Sequence, residues 1–399
     1  MAFAALALLA GAAGLAAQQT PANKANLEKV TRAHNQFAID FFQKVSEPGK
    51  NVFVSPVSVS TALAMTFEGS RGETRKQMAG TLHFDMSDAE RQEGFAALIK
   101  ATTAGPEKHY KLTIANALWE DARLRLTPEY VKTIGKYYDG NLNQVHFSSD
   151  PTGSLQVINK WVEDKTADKI KNLIHRDDID ALTKLILTNA IYFKGDWVSP
   201  FKEAATKDED FHLAGGATVK APLMFQKAHF KYMHDKGVAA IELPYMGNDL
   251  SMIALLPDGD IKALENGLSV EQIKQIRGEM ESQVVFVYLP RFKFDTRYQL
   301  ADMLSEMGMP DAFSEGAADF AGMTGSKDLY IKEVIHQAFI DVNEKGSEAA
   351  AATAVIMDGK SVSFDMPETF RADKPFLFLI VHKETGSILF MGKVANPKS

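Results

Sequence analysis

The hydrophobic residues of this chain come in short blocks whose period changes from one block to the next. Between residues 24 and 46, Leu27, Val30, Ala33, Phe37, Ile39, Phe41 and Val45 recur at helical spacing and predict a first helix. A short strand over 51–54 then runs into a second helix, whose start is marked by Ser55 with Pro56 in the first turn. Residues 57–67 are almost wholly apolar, so that helix must be buried on every side. Gly69 and Gly72 bracket its end, and an amphipathic segment continues from Glu73 to about Leu82.

Blocks of a different kind follow. Residues 113–119 read as a buried strand, and 185–193 (LILTNAIYF) are apolar except at Thr188 and Asn189, the profile of a central strand. Between them, Ile158, Trp161, Val162, Thr166 and Ile170 have the period of an amphipathic helix exposed on one face. Residues 250–257 form another buried strand, 284–294 hold Leu289-Pro290-Arg291-Phe292, and 300–313 read as a helix. Residues 375–381 pair with 388–391 across Glu384-Thr385-Gly386, a hairpin signal.

The stretch 339–360, FIDVNEKGSEAAAATAVIMDGK, stands apart. It begins with strand-like alternation over 339–342, and Gly346 then offers a backbone hinge. Ser347, Ala349, Ala350, Ala351, Ala352 and Thr353 follow with almost no side chain between them, interrupted by Glu348. Alanine favours helix, so one reading is a short surface helix or a linker. The other is a segment able to slide between two strands. Ser347, Ala349, Ala351, Thr353, Val355 and Met357 would then face a core, and Glu348, Ala350, Ala352, Ala354, Ile356 and Asp358 would face out. Ile356 is the imperfect fit. Residues 358–361 read as an exposed tip.

At 344–351 the chain resembles the loop hinge of the serpins, a family of serine protease inhibitors, and the resemblance extends over about 25–397. It implies an α+β fold of three β-sheets with eight or nine helices, in one domain over 25–399, with an exposed reactive-centre loop at about 344–366. It also implies that the helix at Ile158 crosses the face of the main sheet. By resemblance the loop hinge is Glu344, Gly346, Ser347, Glu348, Ala349, Ala350, Ala351 and Ala352. Ser55, Ser58, Asn189 and His336 match the polar cluster where the strands of the main sheet part. Trp197 matches the top of that sheet, where insertion starts, and Arg291 matches the partner of Glu344 at the loop base. Other readings stand beside these: Ser55 as a helix cap, and His336 and Trp197 as ordinary core.

The family's usual spacing, 17 residues counted from Glu344, puts the reactive bond at Lys360-Ser361. A lysine before the bond suits a trypsin-like protease, whose specificity pocket carries a carboxylate. A slip to Gly359 or Met357 would redirect the expectation to elastase- or subtilisin-like enzymes. The expected activity is a suicide-substrate inhibitor, with a non-inhibitory carrier or chaperone of the same family as runner-up. A structural surface protein would need a partner-binding insertion that the sequence lacks. The expected state is a monomer, with loop–sheet polymerisation as its hazard.

Composition narrows the field without overturning this. A net charge of −7 and the lack of a dense basic stripe argue against nucleic acid as a partner. Residues 2–17 are apolar and uncharged, too short to span a membrane, and predict a secretory signal over 1–17, a short tail over 18–24 and a secreted or periplasmic protein. The chain has no cysteine and no Asn-X-Ser/Thr sequon, which fits a bacterial protein of that kind. Motifs for a nucleophile elbow, a zinc protease helix, a dinucleotide fold or a phosphate loop are missing, and His175-Arg176-Asp177 reads as a polar turn. No enzyme activity, cofactor or metal is expected.

Overall fold

A single central strand, Leu185–Asp196, organises the molecule. Its first nine residues are all buried, as an uninterrupted apolar block with neighbours on both sides and both faces requires. The computed structural model describes residues 21–103, 110–347 and 367–399. In it the central strand pairs antiparallel with Tyr110–Asp121 on one side and parallel with Glu333–Asn343 on the other. Phe292–Gln299 closes the second edge of this six-stranded main sheet and Asn141–Val145 closes the first.

The remaining described strands form a nine-stranded array. Its hinge is the 18-residue strand Thr218–Asp235. Its residues 218–223 pair with Lys207–His212, 223–232 with Glu281–Pro290, and 231–235 with Val238–Pro244. The three sheets that the resemblance implies are thus present with two of them joined through one shared strand. Ten α-helical segments occur among the described residues, the excess over eight or nine coming from turns as short as Ala321–Thr324.

Helix Pro56–Gly69 is buried along almost its whole length and packs between the main sheet and the Ile388–Val394 strand. On the opposite face of the main sheet, helix Pro151–Lys165 sets Ile158 and Val162 against Trp119, Ile186, Ala190 and Ile335. Trp161 of this helix meets the Trp119 ring edge to face with 5.5 Å between centroids, so the helix packs on Tyr110–Asp121.

Several expected boundaries move. The first helix is Pro21–Val45, so residues 21–24 belong to it and not to a tail; proline is well suited to open a helix. The helix expected over 300–313 is instead Ala301–Glu306 followed by a 3₁₀ turn at Pro310–Phe313. Gly308, at φ 121°, and Pro310 interrupt it. Residues 1–20, Glu348, Ala349, Ala350, Ala351, Ala352 and the bond Lys360-Ser361 lie outside the described residues.

Candidate functional site

The sheet's central seam has two parts. From Glu333↔Ile186 to Phe339↔Tyr192, the central strand and its parallel neighbour are hydrogen-bonded to each other directly. Above that point the chain reverses through Glu344-Lys345, and Gly346–Ser347 enters between them as a two-residue strand. Gly346 faces Asn343 on one side and Asp196 on the other; Ser347 faces Val342 and Gly195.

This wedge explains its own residue types. A Cβ on Gly346 would lie 2.1 Å from the Gly195 carbonyl oxygen, so glycine is needed for close backbone approach as well as for freedom to turn. Ser347 is 1 % exposed and its hydroxyl lies 2.8 Å from the Tyr245 hydroxyl. The Tyr245 ring stacks on Trp197 with 4.5 Å between centroids. Trp197 holds the reversal at two points: its indole N–H donates to Asn343 O at 3.0 Å, and its backbone N–H to Lys345 O at 2.8 Å. Burial raises the Tyr245 phenol far above its ordinary value.

Glu344 fixes the base of the wedge. Its carboxylate accepts from Thr206 Oγ1 at 2.6 Å and pairs with Arg291. Burial disfavours its charge, but the Arg291 and Thr206 bonds outweigh it and hold the carboxyl below its ordinary range. The Glu344 carbonyl also accepts from Phe201 N–H at 2.8 Å.

The second cluster lies lower in the seam, on one rung of the sheet. Asn116, Asn189 and His336 are register neighbours on three adjacent strands. The His336 Nδ1–H donates to Asn189 Oδ1, and Nε2 accepts from Ser55 N–H at 3.1 Å, which sets the neutral tautomer. Asn189 Nδ2 donates to Ser58 Oγ and Asn116 Oδ1, each at 2.6 Å, and Asn116 Nδ2 donates to Ser58 O at 3.0 Å. Burial pushes His336 down to about 3, so it carries no charge near neutrality. Ser55 does stand at the helix N-cap position, but its hydroxyl makes no cap bond and donates instead to Leu389 O at 2.9 Å.

The structure therefore brings Ser55, Ser58, Asn189 and His336 into one network, and Glu344, Gly346, Ser347, Trp197 and Arg291 into another. Sequence reasoning missed Asn116, Tyr245 and Thr206. Asn116 had a signal, the one amide within an otherwise apolar strand block. Tyr245 and Thr206 had none, since a buried tyrosine and a loop threonine are ordinary. Among the described residues no group of acidic, histidine or cysteine side chains could hold a metal ion.

This architecture has close relatives. The family described as Serpin (serine protease inhibitor) matches residues 32–397. The chain is 40 % identical over 383 residues to the leukocyte elastase inhibitor of Bos taurus, covering 93 % of this chain and 100 % of that protein. It is 39 % identical over 371 residues to an uncharacterized serpin-like protein of Thermococcus kodakarensis, covering 92 % and 86 %. The crystal structure of tengpin, a thermophilic serpin in the native state, superposes with a TM-score of 0.84 at 28 % identity, over 92 % of this chain and 94 % of that one. With the family match spanning nearly the whole described chain, this protein belongs to the serpin family.

Proposed function

We propose that this protein inhibits serine proteases as a suicide substrate, and that its targets are trypsin-like enzymes that cut at Lys360-Ser361. One observation carries the reading. Gly346–Ser347 already forms a strand between the two central strands, with the closed seam directly beneath it. The residues that follow in sequence, from Ala349 to Thr353, have side chains small enough to continue along that track. The relatedness to leukocyte elastase inhibitors supports protease inhibition in general, and Lys360 supports the narrower choice of enzyme.

The chemistry belongs to the protease. Its serine hydroxyl attacks the Lys360 carbonyl and loses its proton to the catalytic histidine. The peptide bond breaks, the amine of Ser361 leaves with that proton, and Lys360 remains as an ester on the enzyme. What this chain contributes is a race against hydrolysis of that ester. Once cut, the segment from Ser347 to Lys360, 14 residues, is free to zip into the seam. At about 3.3 Å per residue, that is roughly 45 Å of strand, enough to drag the attached protease across the sheet. The gain is a double ladder of new backbone hydrogen bonds at about 0.5–1.5 kcal/mol net each.

The experiment is to mix the purified chain with trypsin, run denaturing gels, and map any cut by mass spectrometry. A band at the summed mass that survives detergent, with release of a fragment beginning at Ser361, is the expected result. Cleavage after Lys360 without a complex would favour the carrier or chaperone reading. No cleavage there would redirect the search to elastase- and subtilisin-like enzymes.

A further inference from the structure

The wedge fixes a register that can be followed to the far end of the seam. Ser347 stands between Gly195 and Val342, antiparallel to both strands. Continuing that register brings Ile356 between Ile186 and Glu333. Those two residues are themselves register partners in the closed seam. The counts along the two flanking strands therefore agree, and the seam can admit the cut loop by parting sideways, with no slip. Met357 comes to lie beside Leu185, where the central strand begins. Lys360 lies three residues further, about 10 Å past that point, level with Leu182 on one side and Leu329 on the other.

These two leucines differ. Leu329 is buried, whereas Leu182 is 77 % exposed, the most exposed large hydrophobic among the described residues. Exposure of one leucine says little; its place says more. Leu182 rides on a turn braced from within: its N–H donates to Asp180 Oδ1 at 2.8 Å, and the Thr183 hydroxyl donates to the same oxygen at 3.1 Å. The Asp180 N–H donates to Thr183 Oγ1 at 2.9 Å. These bonds lie inside the turn, so parting the strands leaves them intact. The contacts that do cross the foot of the seam are Lys332 N–H to Leu185 O at 3.0 Å and Lys184 Nζ to Asp328 O at 2.5 Å. The last residues of the loop must displace those two.

We propose that Leu182 is a seat for the trapped protease, a positioning residue that prolongs the life of the ester at Lys360. The inference rests on the suicide-substrate reading, which supplies both the occupant and its tether. The enzyme's serine is bonded to Lys360 itself, without a spacer. A catalytic serine lies in a cleft, so the walls of that cleft close around Lys360 and meet what stands level with it. Leu182 buries its side chain against the cleft rim only after insertion is complete. It holds the enzyme in place and keeps water from the ester, and it takes no part in the attack or the zipping that precede.

The test compares trypsin complexes of the wild type, Leu182→Asp and Leu182→Met, each isolated free of excess inhibitor. Release of active trypsin is followed with a chromogenic substrate. The Leu182→Asp complex should release trypsin about tenfold faster than wild type, and Leu182→Met at nearly the wild-type rate. The rate and yield of complex formation should be the same for all three, as should the thermal midpoints of the free chains, because position 182 is exposed. Equal release rates for wild type and Leu182→Asp overturn the assignment and leave the trapping reading standing. A change in yield without a change in lifetime also overturns it, since Leu182 would then act during insertion. Absence of any complex with the wild type overturns the trapping reading, and this assignment with it.

Discussion

At the top of the central seam two strands are held apart by a two-residue wedge; lower down the same two strands touch. The upper region is held mainly by main-chain bonds and by Trp197, Tyr245 and Glu344. The lower region is held by seven directly paired register positions and a buried polar network through His336 and Asn189. An incoming strand meets no closed pairing at Ser347 and full pairing from Phe339↔Tyr192 downward. The difference teaches where resistance to sheet opening resides: the lower seam must exchange one satisfied set of bonds for another, while the upper seam has made that exchange already. Buried polar networks are stable when complete and costly when one member is lost, so the lower region is the better lock.

The largest effect should come from overfilling the wedge. Ser347→Arg puts a long cation where a 1 %-exposed hydroxyl now meets Tyr245. Such a charge cannot be buried without a partner. The variant should be cut by trypsin and released, with no detergent-stable complex; a complex at wild-type yield would refute the assignment.

Next comes the lock. His336→Ala leaves the Ser55 N–H and the Asn189 Oδ1 without their bonds. Each lost partner costs about 1–3 kcal/mol, so the variant should lose about 2–6 kcal/mol, read as a drop in the denaturant midpoint. If the loss is smaller than that of a variant at Glu344, the contrast between the two regions fails.

Acid should act on the same network. The folded protein holds His336 near 3, whereas an unfolded chain protonates it around its ordinary value of 6.5. Stability from its neutral burial is therefore fully present above about pH 6.5 and declines as pH falls toward 3, by about 1.4 kcal/mol per pH unit. His34, buried and pushed down to about 4, adds a similar slope over its own shorter window. Denaturant midpoints taken from pH 7 to 4.5 should fall, and His336→Asn should show a shallower decline. Equal slopes would remove His336 from the account.

The smallest effect is expected at the loop base. The Arg291 side chain is 46 % exposed, so its pair with Glu344 is screened by solvent. Glu344→Gln keeps the Thr206 contact and should cost no more than about 1 kcal/mol, diminishing with salt. A loss of several kcal/mol, unaffected by salt, would place a second lock at the top of the sheet.

Much of the fold was legible where one physical demand dominated. Residues 250–257 read as a buried strand, and the structure has Leu250–Pro257 with every residue buried. The apolar helix after Pro56 announced its own burial. Legibility ended where signals were short or competed. Asn141–Val145 (NLNQV) has too little apolar content to look like a strand, and it exists through pairing with Tyr110–Asp121. Ser55 satisfied the pattern of a helix cap, yet its hydroxyl is drawn to Leu389, more than three hundred residues away. No local pattern encodes that choice. The helix Asp88–Thr102 was passed over although Ser87 and Glu90 spell a capping box, which the structure forms.

By itself the sequence determined the periodicities, the small-residue run after Gly346, and the order of polar and apolar blocks, because these follow from side-chain chemistry along a few residues. It also carried the likeness that named Glu344, Ser347, Trp197 and His336 as residues to watch. Only the tertiary structure decided that Asn116 joins His336 through Asn189, that Tyr245 rather than bulk core meets Ser347, and that the seam is open at its top and closed below. Those outcomes depend on which strands become neighbours and in what register. Register is set by the packing of whole sheets, where a shift of one residue would turn every side chain to the other face.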